Sequence, residues 1–272
     1  MSTLTSPTPI VIKVGGKFFE QLNIADSGSQ KLLSAIALLQ KQDRMVVLVH
    51  GGGDQVQSLM KALNRPSLKH NGLRVTPPQD MPIVTGVLAG DLNKSLVAQM
   101  KALAIHAVGI SLADGDIADC KQKDTVLGSV GTPIGGDINL LTTLLNAGIV
   151  PVIASIGADQ HSNLFNVNAD HAAIHVAKIL NAELYFFSDV PGVLNAEKQL
   201  VPILDKMLAK QMIEADVITD GMVVKVQASQ EAANRLGKQI TIASWDNAKA
   251  LLIDEQKLGT AVLPTLSNAT HS

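Results

Sequence analysis

"VVLVHGGG", Val46 to Gly53, decides the fold: an apolar, β-branched run that stops on three consecutive glycines. The run is short and bounded, as a buried strand is. Behind the glycines, Val56, Leu59, Met60 and Leu63 fall at i, i+3, i+4 and i+7 of one helix face. The glycines therefore occupy a strand-to-helix turn. A tight turn asks for one or two glycines to reach positive φ. Three also leave amide N–H groups open to an anion at a helix N-terminus, and both readings stand at this point.

Working outward, extended apolar stretches recur at Ile10 to Val14, Met45 to Val49, Ala107 to Leu112, Ile149 to Ile156, Glu183 to Ser188 and Gln239 to Ala243. Helical patterns lie between them, including Leu32 to Leu39, Leu92 to Leu103 and Ala172 to Leu180. This alternation predicts an α/β fold with an open, mainly parallel sheet covered by helices. Ligands of such sheets bind beyond the carboxyl ends of the strands. The polar segments Asn64 to Pro82 and Asp114 to Gly136 are too long for simple connections and read as hairpins or lids over a site. A shift of pattern near Asn181 divides the chain into lobes 1–181 and 182–272.

Composition excludes several classes of function. A chain of 272 residues can bury a full core. Lys plus Arg total 22 against 24 for Asp plus Glu, so no basic field exists to hold nucleic acid. No apolar run approaches the roughly 18 residues of a membrane span. The segment MSTLTSPTP lacks the regions of a signal peptide, and a cytoplasmic protein is expected. Cys120 is the sole cysteine and reads as a passive thiol, and the seven histidines show no metal-site spacing.

The other motifs cluster around similar turns. "KVGGK", Lys13 to Lys17, puts a second glycine pair after a strand and a lysine inside that strand. Beside Val11, Ile12 and Val14, Lys13 is either a solvated edge residue or a cation awaiting an anion such as phosphate. Neither glycine loop fits G-x-G-x-x-G or G-x-x-x-x-G-K-[ST], which removes the dinucleotide dehydrogenases and the P-loop nucleotidases. In "FNVNADHAAIHVAKIL", Phe165 to Leu180, Asn168 suits a helix N-cap. Asn166 points to the same side of the preceding strand, so one of the two amides is left for a ligand. Asp170 suits helix-end stabilisation and catalysis equally. Lys225, near the start of the helix in "VITDGMVVKVQAS", runs against the helix dipole and is either solvated or balanced by an anion.

Taken in order, "KVGGK", "VHGGG", "FNVNADHAA", "SDVPGVLN" and "ITDGMVVKV" resemble the amino acid kinase family, from Ile10 to about Val262. With "NGLRVT", Asn71 to Thr76, they are most similar to the branch that phosphorylates N-acetyl-L-glutamate in arginine biosynthesis. The resemblance implies N-acetyl-L-glutamate in the N-terminal lobe, ATP with Mg²⁺ in the C-terminal lobe, and a homodimer. It assigns Lys13 and Lys225 to the transferring phosphoryl, with Asp170 holding both lysines. Gly52, Gly53, Arg74 and Asn166 fall to the acetylated amino acid. Gly15 and Gly16 fall to the nucleotide, together with Asp189, Val190, Pro191, Gly192, Val193, Leu194, Val217, Ile218 and Thr219. No dedicated carboxylate cluster is evident, so the metal is expected to arrive bound to ATP.

Sister kinases of glutamate, aspartate, carbamate or UMP, and a silent amino-acid sensor, share the framework. Lys17 departs from the pattern, which has a small or apolar residue there, and reads as solvated. Arginine-inhibited members carry an extra N-terminal helix. Only Met1 to Pro9 precede the first strand here, with Pro7 and Pro9 opposing a helix, so a dimer unresponsive to arginine is expected. The end after Leu263 reads as disordered.

Overall fold

The computed structural model describes residues 8–70 and 72–265, and of Asp220 only the backbone. The expectations for the N-terminal segment and for the end of the chain concern mainly residues 1–7 and 266–272, outside the described residues, as does the expectation for Asn71.

In chain order the strands are β1 (Ile10–Val14), β2 (Val46–His50), β3 (Lys69–His70), β4 (Leu73–Arg74), β5 (Ala107–Ser111), β6 (Asp119–Gln122) and β7 (Val130–Gly135). They continue with β8 (Val150–Ala154), β9 (Ile156–Ala158), β10 (Leu164–Val167), β11 (Glu183–Ser188), β12 (Ile203–Leu204), β13 (Ile240–Ser244) and β14 (Thr260–Val262). The α-helices are α1 (Gly16–Glu20), α2 (Gly28–Lys41), α3 (Gly53–Ala62), α4 (Met81–Thr85) and α5 (Asn93–Ala102). After them come α6 (Asn139–Asn146), α7 (Ala169–Ile179), α8 (Lys206–Glu214), α9 (Asp220–Leu236) and α10 (Ala248–Leu252).

The main sheet has eight strands in the order β12-β14-β13-β11-β1-β2-β8-β5, parallel throughout except where β14 runs against β13. It passes without a break from β1 to β11, that is, from one half of the chain to the other. β1 lies at its centre, with Ile10 to Lys13 paired to Glu183 to Phe186 on one side and to Val46 to Val49 on the other. Side chains alternate across the sheet and build two cores. Val11, Val47 and Val49 pack with Ala173 and Ile174 of α7 and Ala232 of α9. Ile10, Ile12, Val14, Val46 and Leu48 pack with Leu32 and Ile36 of α2 and Leu96 of α5. Burial on both faces is why these strands read as continuous apolar runs. Lys13 follows Val11 by two residues, so it emerges on the α7 side.

The single stretch expected at Ile149 to Ile156 is broken in two. β8 ends at Ala154, and Ile156 opens β9, which leaves the main sheet for a small closed one of order β10-β7-β6-β9. The polar segment before it supplies the β6–β7 hairpin, and the earlier polar segment supplies the short β3–β4 pair. Between α4 and α5 the helix widens into a π-helical stretch, Gly86–Leu92. Among the described residues no helix is long and apolar enough to cross a membrane.

The strand expected to end at Val49 runs on to His50, because the imidazole is fully buried and satisfied. Its Nδ1 lies 2.9 Å from the Gly51 carbonyl, and its Nε2 lies 3.1 Å from Asn93 Nδ2. The amide donates, so Nε2 accepts and Nδ1 holds the proton: the ring is neutral. Burial pushes its pKa down to about 4. The unfolded chain, near 6.5, takes up its proton first as pH falls. Stability from this residue is therefore complete above about pH 6.5 and declines by about 3 kcal/mol on approaching pH 4. Urea midpoints should fall across that window, and His50→Gln should flatten the slope; a wild-type midpoint level from pH 6.5 to pH 4.5 would contradict this.

Candidate active site

The carboxyl ends of β1, β2 and β11 open onto two adjoining cavities. The smaller, about 260 Å³, is lined by Gly52, Gly53, Lys69, Arg74, Ser155 and Asn166 among others. The larger, about 510 Å³, is lined by Lys17, Phe187, Asp189, Val190, Thr219, Lys225 and Trp245 among others. Lys13, Gly15, Gly16, Asp54 and Asp170 line both, and so form the wall between them. A still larger hollow of about 1090 Å³, between α4 and the small closed sheet, is a wide surface depression lined by none of the candidate site residues.

The three glycines that end β2 have separate reasons. A Cβ on Gly52 would lie 2.1 Å from Leu92 Cδ1 and 2.9 Å from Leu88 Cδ2, so Gly52 admits the π-helical stretch. A Cβ on Gly51 would press on Ala169 at 3.1 Å. At Gly53 and Gly15 a Cβ would meet nothing within 4 Å, because both face open cavity. Gln55 on α3 donates from Nε2 to the Gly16 carbonyl at 3.0 Å and ties the two glycine turns together.

Lys13 Nζ lies 2.6 Å from Asp170 Oδ1, with the two side chains only 19% and 18% exposed. The pair exists because β1 aims Lys13 at the first turn of α7. Asn168 caps that helix through its side-chain oxygen, which accepts from the Asp170 and His171 amides. Of the two lysines assigned to Asp170, the carboxylate contacts Lys13 and acts on Lys225 through its charge, while the carboxylate in ion-pair range of Lys225 is that of Asp189, with Oδ1 at 3.8 Å. The reason is topological. Asp170 opens α7 while Asp189 follows β11, and α9 brings Lys225 to the β11 side of the cleft. Lys17 is largely exposed, as expected, and its Nζ also meets Asp189 Oδ2 at 2.6 Å. Burial works to raise the Asp189 pKa, but the Lys17 hydrogen bond and both lysine charges outweigh it and hold the carboxyl below the ordinary range. Burial lowers the Lys225 pKa, which its Asp189 neighbour partly opposes.

On the other side of the wall, Arg74 in β4 donates from Nη2 to the Gly53 carbonyl at 2.7 Å and from Nη1 to Ser67 Oγ. Burial lowers its pKa, with Asp54 acting the other way. Asn166 Nδ2 donates to Thr76 Oγ1 at 3.0 Å, so of the two candidate amides Asn168 is the cap and Asn166 faces the cavity.

The nucleotide set divides. Asp189, Val190 and Thr219 line the larger cavity. Val193 and Ile218 are instead buried in an apolar cluster with Leu204 and Val262, with Val217 packed against it. Gly192 backs onto Thr260, whose hydroxyl accepts from the Val193 amide at 2.8 Å. Pro191, just before Gly192, is exposed, and Leu194 bridges to Leu200. Sequence reading passed over Lys69, Ser155, Asp54, Phe187, Met222 and Trp245. Asp54, Ser155, Met222 and Trp245 carried only the signal of position at a strand end or helix start, and Lys69 and Phe187, inside β3 and β11, carried none.

A central parallel sheet whose glycine turns and opposed lysine–aspartate groups separate an amino-acid-sized cavity from a larger one defines an α/β kinase. The sequence model described as the amino acid kinase family matches residues 8–244. The acetylglutamate kinase of Vibrio vulnificus (strain CMCP6) is 45% identical over 96% of this chain and 99% of its own length. That of Pectobacterium atrosepticum is 43% identical over 94% and 99%. The crystal structure of smu.665 from Streptococcus mutans UA159 superposes with a TM-score of 0.76 at 27% identity, covering 94% of this chain and 98% of that one. The chain belongs to the amino acid kinase family.

Proposed function

We propose that the protein transfers the γ-phosphoryl of MgATP to the γ-carboxylate of N-acetyl-L-glutamate, as a step of arginine biosynthesis. The observation that carries this reading is the shared wall: Lys13 and Asp170 stand between a small cavity with Arg74 and Asn166 and a larger one with Lys225 and Asp189. Acetylglutamate kinases 43–45% identical over nearly the whole chain support the same substrate. The acceptor carboxylate, with a pKa of about 4.3, is ionised at pH 7 and needs no general base. The chemical task is to oppose charge and hold the reactants in line. Lys13 from β1 and Lys225 from α9 both line the larger cavity and are placed to hold the phosphoryl in flight.

Residues 1–181 supply the acetylglutamate cavity and residues 182–272 most of the nucleotide cavity. Gly15 and Gly16 let backbone approach the phosphates. Oxygen donors suited to Mg²⁺ lie beside them in the Asp189 carboxylate and in Ser188 Oγ, which is buried without a protein partner. Mg²⁺ brought by ATP would spread the negative charge of the phosphate oxygens. The protein works in the cytoplasm as a homodimer, a state that light scattering would test.

Trapping the acyl phosphate with hydroxylamine tests the reaction. N-acetyl-L-glutamate should give hydroxamate at a far higher kcat/KM than free glutamate, whose ammonium would replace a neutral amide. Equal values for the two would overturn the substrate. Arg74→Lys should raise the KM for acetylglutamate about tenfold, because a point charge replaces a planar fork. A rise confined to the KM for ATP would show that Arg74 serves the other ligand.

A further inference from the structure

Lys17 has no part in the reaction just described. Its Nζ reaches across 172 residues of sequence to Asp189 Oδ2 at 2.6 Å, while the second oxygen of that carboxylate faces Lys225 Nζ at 3.8 Å. The larger cavity is thus lined by three lysines, Lys13, Lys17 and Lys225, and three aspartates, Asp54, Asp170 and Asp189. The lysines differ in how firmly they are held. Lys13 is mostly buried against Asp170, whereas the Lys17 side chain is 63% exposed. An exposed pair of this kind adds only about 0–1 kcal/mol to stability, so the fold does not depend on it. The Lys17–Asp189 contact costs little to exchange, and Asp189 keeps Lys225 beside it when Lys17 leaves.

We propose that Lys17 is a third phosphate-facing cation, parked on Asp189 while the cavity is empty and transferred to the β- and γ-phosphate oxygens when nucleotide enters. Gly15 and Gly16 precede it and line the same cavity, so the ammonium needs only side-chain rotation to turn from the carboxylate inward. A polyphosphate offers several charged acceptors where Asp189 gives Lys17 one oxygen, and charge-assisted hydrogen bonds favour the exchange. The inference rests on reading the larger cavity as the nucleotide site.

Calorimetric binding of ATP, ADP and AMP to the full chain, with Mg²⁺ and without acetylglutamate, tests it in wild type, Lys17→Met and Lys17→Arg. Lys17→Met should weaken ATP and ADP about tenfold and leave AMP unchanged, with the thermal midpoint held; Lys17→Arg should keep most of the affinity. In turnover, the KM for MgATP should rise with the KM for acetylglutamate unaltered. Equal ATP affinity in wild type and Lys17→Met, or an equal loss for AMP, would overturn the assignment. A wild-type protein that binds no nucleotide would overturn the underlying site as well. The nucleotide arm does not depend on which amino acid is the acceptor, so an error in the substrate would show in the hydroxamate assay alone.

Discussion

Lys225→Ala will lower kcat by roughly 10²- to 10³-fold, with a smaller change in either KM. Lys225 sits near the start of α9 and lines the larger cavity. At 3.8 Å its nearest carboxylate is too far for a tight hydrogen bond, so the ammonium is free to follow charge that develops on the phosphoryl. Lys13 is different, being held by Asp170 at 2.6 Å. An ammonium whose contact strengthens as charge develops acts mainly on the transition state, and its loss therefore shows in turnover. Lys225→Arg should recover part of the rate. Steady-state kinetics with a kcat unchanged in Lys225→Ala would remove the residue from the mechanism.

Gly28→Ala will destabilise the protein by about 1–3 kcal/mol and raise the KM for MgATP. A Cβ at Gly28 would lie 1.8 Å from Trp245 Cδ1 and 2.1 Å from its Nε1. The indole has nowhere to go: it is 2% exposed and stands edge-on to Phe18, with ring centres 6.0 Å apart at 67°. The same ring lines the larger cavity, so overpacking behind it reshapes the site in front. Trp245 is the single tryptophan of the chain, and its emission should shift in the variant. A melting temperature equal to that of wild type would refute the clash.

The parts legible in the sequence were those where a strand is buried on both faces or a helix has one apolar stripe. β1 and β11 fall on the expected residues, because Ile10 to Val14 and Glu183 to Ser188 are bounded runs at the sheet centre. The small closed sheet was not legible. β6, Asp119–Gln122, is polar and partly exposed, and its partners are set by long-range pairing, not by local preference. Nor does any local pattern announce a π-helical stretch, whose fit depends on Gly52, more than thirty residues earlier. Within the site, residue types at a strand end and at two helix starts pointed to Lys13, Asp170 and Lys225, and the structure brings all three to the cleft. Which carboxylate meets which lysine depends on how β11 and α9 lie together, and one chain read alone does not contain that.

The matched charges of the larger cavity also bear on how its ligand arrives. Three lysines facing three aspartates, in a chain of net charge −2, leave little long-range potential at the mouth. Encounter with a polyanion is then an unsteered diffusional search, with an association rate in the ordinary range of about 10⁵–10⁷ M⁻¹s⁻¹ and weakly dependent on ionic strength. Other abundant polyanions gain no head start from distant attraction. Discrimination begins only once a ligand is near enough to draw Lys17 from Asp189, so recognition is a property of contact and not of approach.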